Sequence, residues 1–318
     1  MGISNKKAIY SARLIFAKYL IAPLQELQNV ISTRANSFKN IFKRKTAALG
    51  MVIVICMAIA ATFAPFLAPH KPTKINFDQL FTPPFWMKGG SPSYLLGTDS
   101  LGRDIMSRII YGSQKSLLVS TLATLLGVII GVTLGLLSGY YEGWIDSVIG
   151  RIEEMFLAFP TILFAIAIVA LLGGETFNMI LVFAITHWVT IAKVTRGEVL
   201  SAKRNEYVEA SRTVGCKDVR IIILHILPNV SASIIVIATL SLANIILAES
   251  SLSFLGFGVP PPAPTWGRML SEGRQYLSNA WWIATFPGLA IMLTVLGVNL
   301  LGDGLRDAYD PRLQHERR

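Results

Sequence analysis

The sequence has few of the residues that carry enzyme chemistry. Its two cysteines, Cys56 and Cys216, have neither the spacing of a disulfide framework nor that of a metal site. Its four histidines are scattered, without an H-x-x-x-H pair or a nucleophile–base pattern. No Gly-Lys dipeptide occurs, which excludes a phosphate-binding loop of the G-x-x-x-x-G-K-[ST] kind. The sequence therefore predicts a chain that is not an enzyme and that itself binds no metal and no cofactor.

Charge is scarce as well. Charged residues make up 15% of the 318 residues and hydrophobic residues 53%. A soluble fold of this size must cover its surface with more charge, so the composition predicts a polytopic protein of the lipid bilayer. The net charge of +10 is compatible with nucleic-acid binding, but basic residues beside membrane spans more often record insertion topology. We therefore expect no nucleic-acid partner.

The apolar segments predict six membrane spans, since a helix of about 20 residues crosses the hydrocarbon core. Residues 1–45 hold nine basic residues and one acid, which predicts a cytoplasmic N terminus, and six spans return the C terminus to the same side. Residues 46–115 are predicted to form the first span and an external loop, 116–313 a five-helix core and 314–318 a cytoplasmic tail. The predicted spans are residues 46–69, 116–140, 155–172, 177–194, 230–255 and 281–301.

Glycine recurs every fourth residue in the second predicted span. On a helix, four such residues lie near one face and allow the backbone of a neighbouring helix to approach closely. Helix packing is therefore the preferred interpretation of this pattern, ahead of any ligand role. The four residues are Gly127, Gly131, Gly135 and Gly139.

A polar segment, EYVEASRTVGCKDVRIIILHILPN (residues 206–229), interrupts the apolar sequence on the predicted cytoplasmic side, within a loop at 195–229. It is longer than the few residues that usually join two helices. If its first part is helical, Tyr207, Ala210 and Ser211 share a stripe with Val214, and Gly215 ends that helix at low cost. The pattern predicts an elbow of two short helices that docks another protein, with a solvated connector as the alternative.

The fifth predicted span contains a carboxylate, Glu249. A charge at the centre of a bilayer costs at least ~2.5 kcal/mol, so such a residue is a candidate functional group. Alternatively, it pairs with Arg268 or a backbone group near the outer end of the span. Ser241, Asn244 and Glu249 are candidates to line a translocation path.

Four stretches carry a resemblance to a known family. Residues 209–228 are similar to the E-A-A-x-x-x-G-x9-I-x-L-P loop of ATP-binding-cassette (ABC) importer permeases. LGTDSLGRDIMSRIIYGSQKSLL (96–118), LAESSLSFLGFGVPPPAPTWGRML (247–270) and NLLGDGLRDAYDPRL (299–313) resemble signatures of the C-type dipeptide/oligopeptide/nickel permeases. The resemblance covers residues 46–313. The chain departs from the family pattern at Gln114, Glu154, Ser211 and His225.

The resemblance implies an all-α type I importer permease with six spans in the bacterial inner membrane. The implied partners are a second homologous permease, forming a heterodimer, two cytoplasmic ATPases that use ATP and Mg, and an extracytoplasmic substrate-binding protein. Di- or oligopeptides are the implied substrates, with nickel or another small solute as the alternative. A channel or secondary transporter subunit is the alternative function. The implied ATPase-coupling residues are Glu206, Tyr207, Glu209, Ala210, Ser211, Gly215, Leu227 and Pro228.

Overall fold

The structure is a computed structural model that describes residues 44–309, so the predictions for the basic N-terminal segment and the C-terminal tail lie largely outside the described residues. In the described range the chain is almost entirely helical and contains no β-strand. The helices are α1 (Lys45–Thr62), α2 (Ala64–Leu67), α3 (Ile105–Tyr141), α4 (Gly143–Leu157), α5 (Thr161–Leu172), α6 (Thr176–Ala202), α7 (Glu206–Thr213), α8 (Asp218–Ile221), α9 (Leu227–Phe254), α10 (Trp266–Gly273) and α11 (Trp282–Tyr309).

Five stretches of helix in this range are long and apolar enough to cross a membrane: α1, α3, α6, α11 and the stretch Asp218–Phe254, which ends with α9. A sixth span results if α4 and α5 are taken together. The third predicted span is not one straight helix, because α4 and α5 meet at an angle of 85°. Pro160 lies at the break, where its ring disfavours a helical residue before it. At 12 residues, α5 is about 18 Å long, too short to cross a core of about 30 Å alone.

The longest helix is α3, which has 37 residues and is therefore about 55 Å long. It begins at Ile105 rather than near residue 116, because the Asp104 side chain accepts a hydrogen bond from the Ser107 backbone N–H and caps the helix. The predicted loop thus ends about ten residues early. Since α3 is longer than the hydrocarbon core is thick, its two ends lie beyond the core on opposite sides of the bundle.

The glycines of α3 face α6, as the four-residue spacing predicts. A Cβ at Gly131 would lie 2.7 Å from the Trp188 carbonyl oxygen, and one at Gly135 would lie 2.6 Å from that of Ala192. These distances are shorter than real Cβ contacts, so only glycine permits this approach. The predicted packing role is confirmed, and α3 and α6 form the centre of the bundle.

The first helix packs along the last. A Cβ at Gly50 of α1 would lie 2.7 Å from the Gly297 carbonyl oxygen in α11. At one end of this pair Arg44 forms an ion pair with Asp307. The opposite end of the bundle is covered by the segment between α2 and α3, where the Trp282 indole N–H donates to the Thr98 carbonyl oxygen at 3.1 Å. The two ends are called the elbow end, which carries α7, and the outer end.

Candidate functional site

The polar segment forms the predicted elbow. Its first helix, α7, ends at Thr213, and Gly215 takes a φ of +82° before α8 begins at Asp218. This left-handed conformation costs glycine little and strains a residue with a Cβ. No heavy atom lies within 4 Å of a Cβ built on Gly215. The residue is therefore required by the backbone turn and not by lack of space.

The second arm of the elbow is continuous with a membrane helix. A π-helical turn (Ile222–Ile226) joins α8 directly to α9, which begins at Leu227. Pro228 is the second residue of α9 and follows the π-helical turn directly, so it does not lie at a separate joint. Residues 218–254 form one stretch of 37 residues. The second arm of the elbow and the membrane helix are thus one continuous helical stretch.

Two faces of α7 differ in their surroundings. Val208 is fully buried and packs with Ile221, Ile226 and Val199, which belong to α8, the π-helical turn and α6. The opposite face is exposed, and Val214 beside it is 70% exposed. Exposed residues on or beside α7 include five of the predicted coupling residues: Glu206, Tyr207, Glu209, Ala210 and Gly215.

The remaining predicted coupling residues are half-buried. Ser211, which departs from the alanine of the family pattern, donates its hydroxyl to the Tyr207 carbonyl oxygen at 2.8 Å. Its polar group is satisfied within the helix and does not require a partner outside. Leu227 and Pro228 lie at the start of α9, separated from α7 by α8 and the π-helical turn. The structure thus places six residues in or beside α7 and two at the entry to the membrane helix.

Tyr140 contacts both helices of the elbow, α7 and α8. The sequence does not predict these contacts. Its hydroxyl donates to the Asp218 carboxylate at 2.7 Å, and the Arg212 guanidinium lies 5.0 Å from the ring centroid. Tyr140 belongs to the last turn of α3, whereas Arg212 lies in the last turn of α7 and Asp218 starts α8. Because these residues are more than 70 positions apart, no local pattern links them.

Two ion pairs join helix ends beside the elbow. Lys203 pairs with Glu142, and its hydrogen bond and charge lower the pKa of the Glu142 carboxyl. Arg196 of α6 donates two hydrogen bonds of 2.6 Å to the Asp146 carboxylate of α4. This bidentate geometry fixes direction as well as distance. The two ion pairs thus connect the end of α6 with the start of α4, next to the elbow.

The three candidates for a translocation path do not share one exposed surface. Ser241 and Glu249 are buried inside the subunit, whereas Asn244 is exposed. Glu249 accepts a hydrogen bond from the Ser253 hydroxyl at 2.8 Å and a longer one from Ser250 at 3.5 Å. It does not pair with Arg268, whose guanidinium binds Glu272 instead. A path role for these residues stays a prediction.

The outer end carries an ion network that sequence reasoning missed. Arg103 and Arg108 both pair with Asp99 and with Glu272, and Arg268 donates to Glu272 at 3.1 Å. Burial raises the pKa of the Glu272 carboxyl, but the charges of Arg108 and Arg103 outweigh burial, and the pKa is lowered. The network ties the start of α3 to α10. The spacing of Asp99, Arg103 and Arg108 was a possible signal, whereas Glu272 lies more than 160 residues away.

Comparison with known proteins identifies the family. Residues 131–315 match the family described as "Binding-protein-dependent transport system inner membrane component", and residues 32–84 match "N-terminal TM domain of oligopeptide transport permease C". The chain belongs to the family of binding-protein-dependent transport system inner membrane components. It is therefore a multi-pass permease of the ABC importer family, and the predicted resemblance is confirmed.

Curated relatives are similar over almost the whole chain. The dipeptide transport system permease protein DppC of Escherichia coli K12 is 46% identical over 306 residues, which cover 95% of this permease and 97% of the relative. The di/tripeptide transport system permease protein DppC of Pseudomonas aeruginosa UCBPP-PA14 is 41% identical over 295 residues, covering 92% and 97%. These relatives are named as peptide permeases.

A solved structure supports the fold. Inward-facing conformations of the MetNI methionine ABC transporter include a chain that matches this permease with a TM-score of 0.53 and 19% identity. The match covers 65% of this permease and 98% of that chain. The predicted ABC importer permease fold is thereby confirmed, while the placement of both termini in the cytoplasm stays a prediction.

Proposed function

We propose that this permease forms half of the translocation pathway of a bacterial importer for di- or oligopeptides. A second homologous permease completes the pathway as a heterodimer, and an extracytoplasmic binding protein delivers the peptide. Two cytoplasmic ATPases bind ATP and Mg and supply the energy. The peptide assignment is supported by the names of the relatives, which include dipeptide and di/tripeptide permeases.

The observation that carries the mechanism is the continuity of the elbow with α9. The exposed face of α7 offers an acidic and small-residue surface to an ATPase, and Val208 packs the other face against α8, the π-helical turn and α6. Closure of the ATPases displaces α7, the Tyr140 contact keeps α8 aligned with it, and α9 carries the displacement into the membrane. Such rigid transmission across a packed interface is a known form of conformational switching.

Within this mechanism the chain itself performs no chemistry on ATP. Glu209 and Glu206 supply polar contacts, Ala210 permits close approach, and Gly215 sets the angle between the arms. Ser241, Asn244 and Glu249 remain candidates for the path, and the exposure of Asn244 supports a contact with the partner permease.

Reconstitution of the complete transporter into liposomes tests this function. We expect uptake of a labelled dipeptide that requires ATP, Mg, the binding protein and this permease together. A panel of dipeptides, longer peptides and a nickel chelate, compared for stimulation of ATP hydrolysis, identifies the substrate class. Uptake that proceeds down a gradient without ATP and without the ATPases would instead support a channel or a secondary transporter.

A further inference from the structure

A cavity of about 370 Å³ opens at the outer end, beside the ion network. It is called the arginine cavity here. The loop before α3 and the start of α3 form one wall, and α10 with the proline-rich segment before it forms the other. The residues that matter for its chemistry are Arg103, Arg108, Arg268, Glu272, Pro261 and Pro262.

The arginine cavity carries a surplus of positive charge and of hydrogen-bond donors. Three arginines share two carboxylates, Asp99 and Glu272, which leaves one positive charge unbalanced. Each guanidinium has five N–H donors and no acceptor. Within residues 44–309, Arg268 has a single charged partner, Glu272, which its Nε–H contacts, and its side chain is 32% exposed. The cavity therefore favours a carboxylate, which an arginine fork binds through two hydrogen bonds.

The size and position of the cavity indicate where this carboxylate comes from. Pockets that enclose small ligands usually have volumes of about 300–1,000 Å³ and apolar linings. The arginine cavity is polar, and its volume is near the lower end of this range, so it is a poor fit for a whole peptide. It lies at the opposite end of α3 from Tyr140 and hence from the elbow. If the elbow meets the ATPases, this end faces the extracytoplasmic space. Exposed Pro261, Pro262 and Leu101 surround the charged centre with an apolar rim, an arrangement that suits an arginine-centred protein interface.

We infer that the arginine cavity is the socket for an acidic side chain on the surface of the extracytoplasmic binding protein. This inference rests on the proposed function, because it requires a binding protein that docks on the outer end. The acidic side chain of the binding protein accepts hydrogen bonds from the N–H groups of Arg268 that Glu272 does not use. Arg103 and Arg108 keep the two sides of the cavity together through their ion pairs with Asp99 and Glu272.

Replacement of Arg268 tests the socket without breaking the network. Arg103 and Arg108 each hold both carboxylates, whereas Arg268 contacts one. In the reconstituted transporter, Arg268→Gln is expected to raise the concentration of purified binding protein that half-saturates ATPase stimulation by about 10-fold. The salt dependence of docking should also weaken, since one charge pair is lost. The matched control is Arg274→Gln, an exposed arginine near the end of α10 that does not line the cavity.

The outcomes separate the possible explanations. A rise with Arg268→Gln but not with Arg274→Gln supports the socket, whereas equal effects of the two variants, or no effect of either, would overturn it. Docking is measured with peptide-free and with peptide-loaded binding protein. If the carboxylate belongs to the binding protein, Arg268→Gln weakens docking equally in both states. If docking weakens only in the peptide-loaded state, the carboxylate belongs to the peptide, which contradicts the inference. If the unmodified transporter is not stimulated by its binding protein at all, the proposed function itself fails.

Discussion

The two ends of α3 are held in different ways. At the outer end, Arg108 is almost fully buried and joins two carboxylates from two separate segments. At the elbow end, Tyr140 contacts residues that are themselves exposed, and α7 has one fully buried side chain, Val208. Removing one partner of a buried ion pair strongly destabilises the fold. An exposed helix with few buried contacts, in contrast, can be displaced at a low cost in free energy. We therefore expect the outer end to stay fixed while the elbow moves.

The largest effect is expected from breaking the outer network. Arg108→Gln removes one of the two arginines that pair with the buried Asp99 carboxylate, which costs at most about 3–5 kcal/mol of folding free energy. Thermal unfolding of the purified permease complex should show a large decrease in melting temperature. Arg151→Gln is the control, because Arg151 and Glu154 form an exposed pair worth about 0.2–1 kcal/mol. Equal stability of the two variants would contradict a fixed outer end.

The next effect concerns the centre of α3. Gly135→Ala places a methyl group 2.6 Å from the Ala192 carbonyl oxygen, and such overpacking costs about 1–3 kcal/mol. A Cβ on Gly150 of α4 meets no atom within 4 Å, so Gly150→Ala should leave stability unchanged or increase it slightly. Melting temperatures in one detergent compare the two variants. An unchanged melting temperature for Gly135→Ala would contradict the close packing of α3 against α6.

The elbow end should respond in coupling more than in stability. Tyr140→Phe removes the hydrogen bond to Asp218 and keeps the ring beneath Arg212, which costs about 0.5–1.5 kcal/mol. We expect the number of peptides transported per ATP hydrolysed to fall several-fold. Tyr141→Phe is the control, since Tyr141 is adjacent and 41% exposed. Its ring packs against the Tyr140 ring, and the variant keeps this contact. A stability loss with an unchanged transport ratio would make Tyr140 a packing residue only.

The smallest effect is the pH dependence of the outer network. The pKa of Glu272 is lowered in the folded state, so its contribution is present above the unfolded value of about 4.3 and is lost as pH falls through the folded pKa. The difference in melting temperature between the parent and Glu272→Gln should therefore be largest near neutral pH and decrease below about pH 4. A difference that grows on acidification would contradict the sign of this shift.

Local patterns in the sequence predicted local structure well. The glycine spacing of α3 predicted its packing face, and the position of Gly215 after Val214 predicted the turn of the elbow. Contacts between distant segments were not predictable in this way. Tyr140 meets Asp218, and Arg108 meets Glu272, only because separate helices end at the same level in the bundle. The third predicted span, 155–172, is apolar on both sides of Pro160, and composition alone does not reveal the break that proline causes there.

In the proposed mechanism, the coupling of ATP hydrolysis to transport depends on the angle between α7 and α8, and Gly215→Val tests this dependence most directly. Gly173 provides a matched control, because its φ of +84° and its open surroundings resemble those of Gly215, yet it lies between α5 and α6, away from the elbow. Valine at either position carries similar backbone strain, about 1–3 kcal/mol.

The measurement is the ratio of peptide uptake to ATP hydrolysis in proteoliposomes. We predict that Gly215→Val continues to hydrolyse ATP while uptake falls at least about 10-fold, a change worth about 1.4 kcal/mol of coupling, and that Gly173→Val keeps the parental ratio. An unchanged ratio in Gly215→Val, or an equal loss in both variants, would contradict the claim.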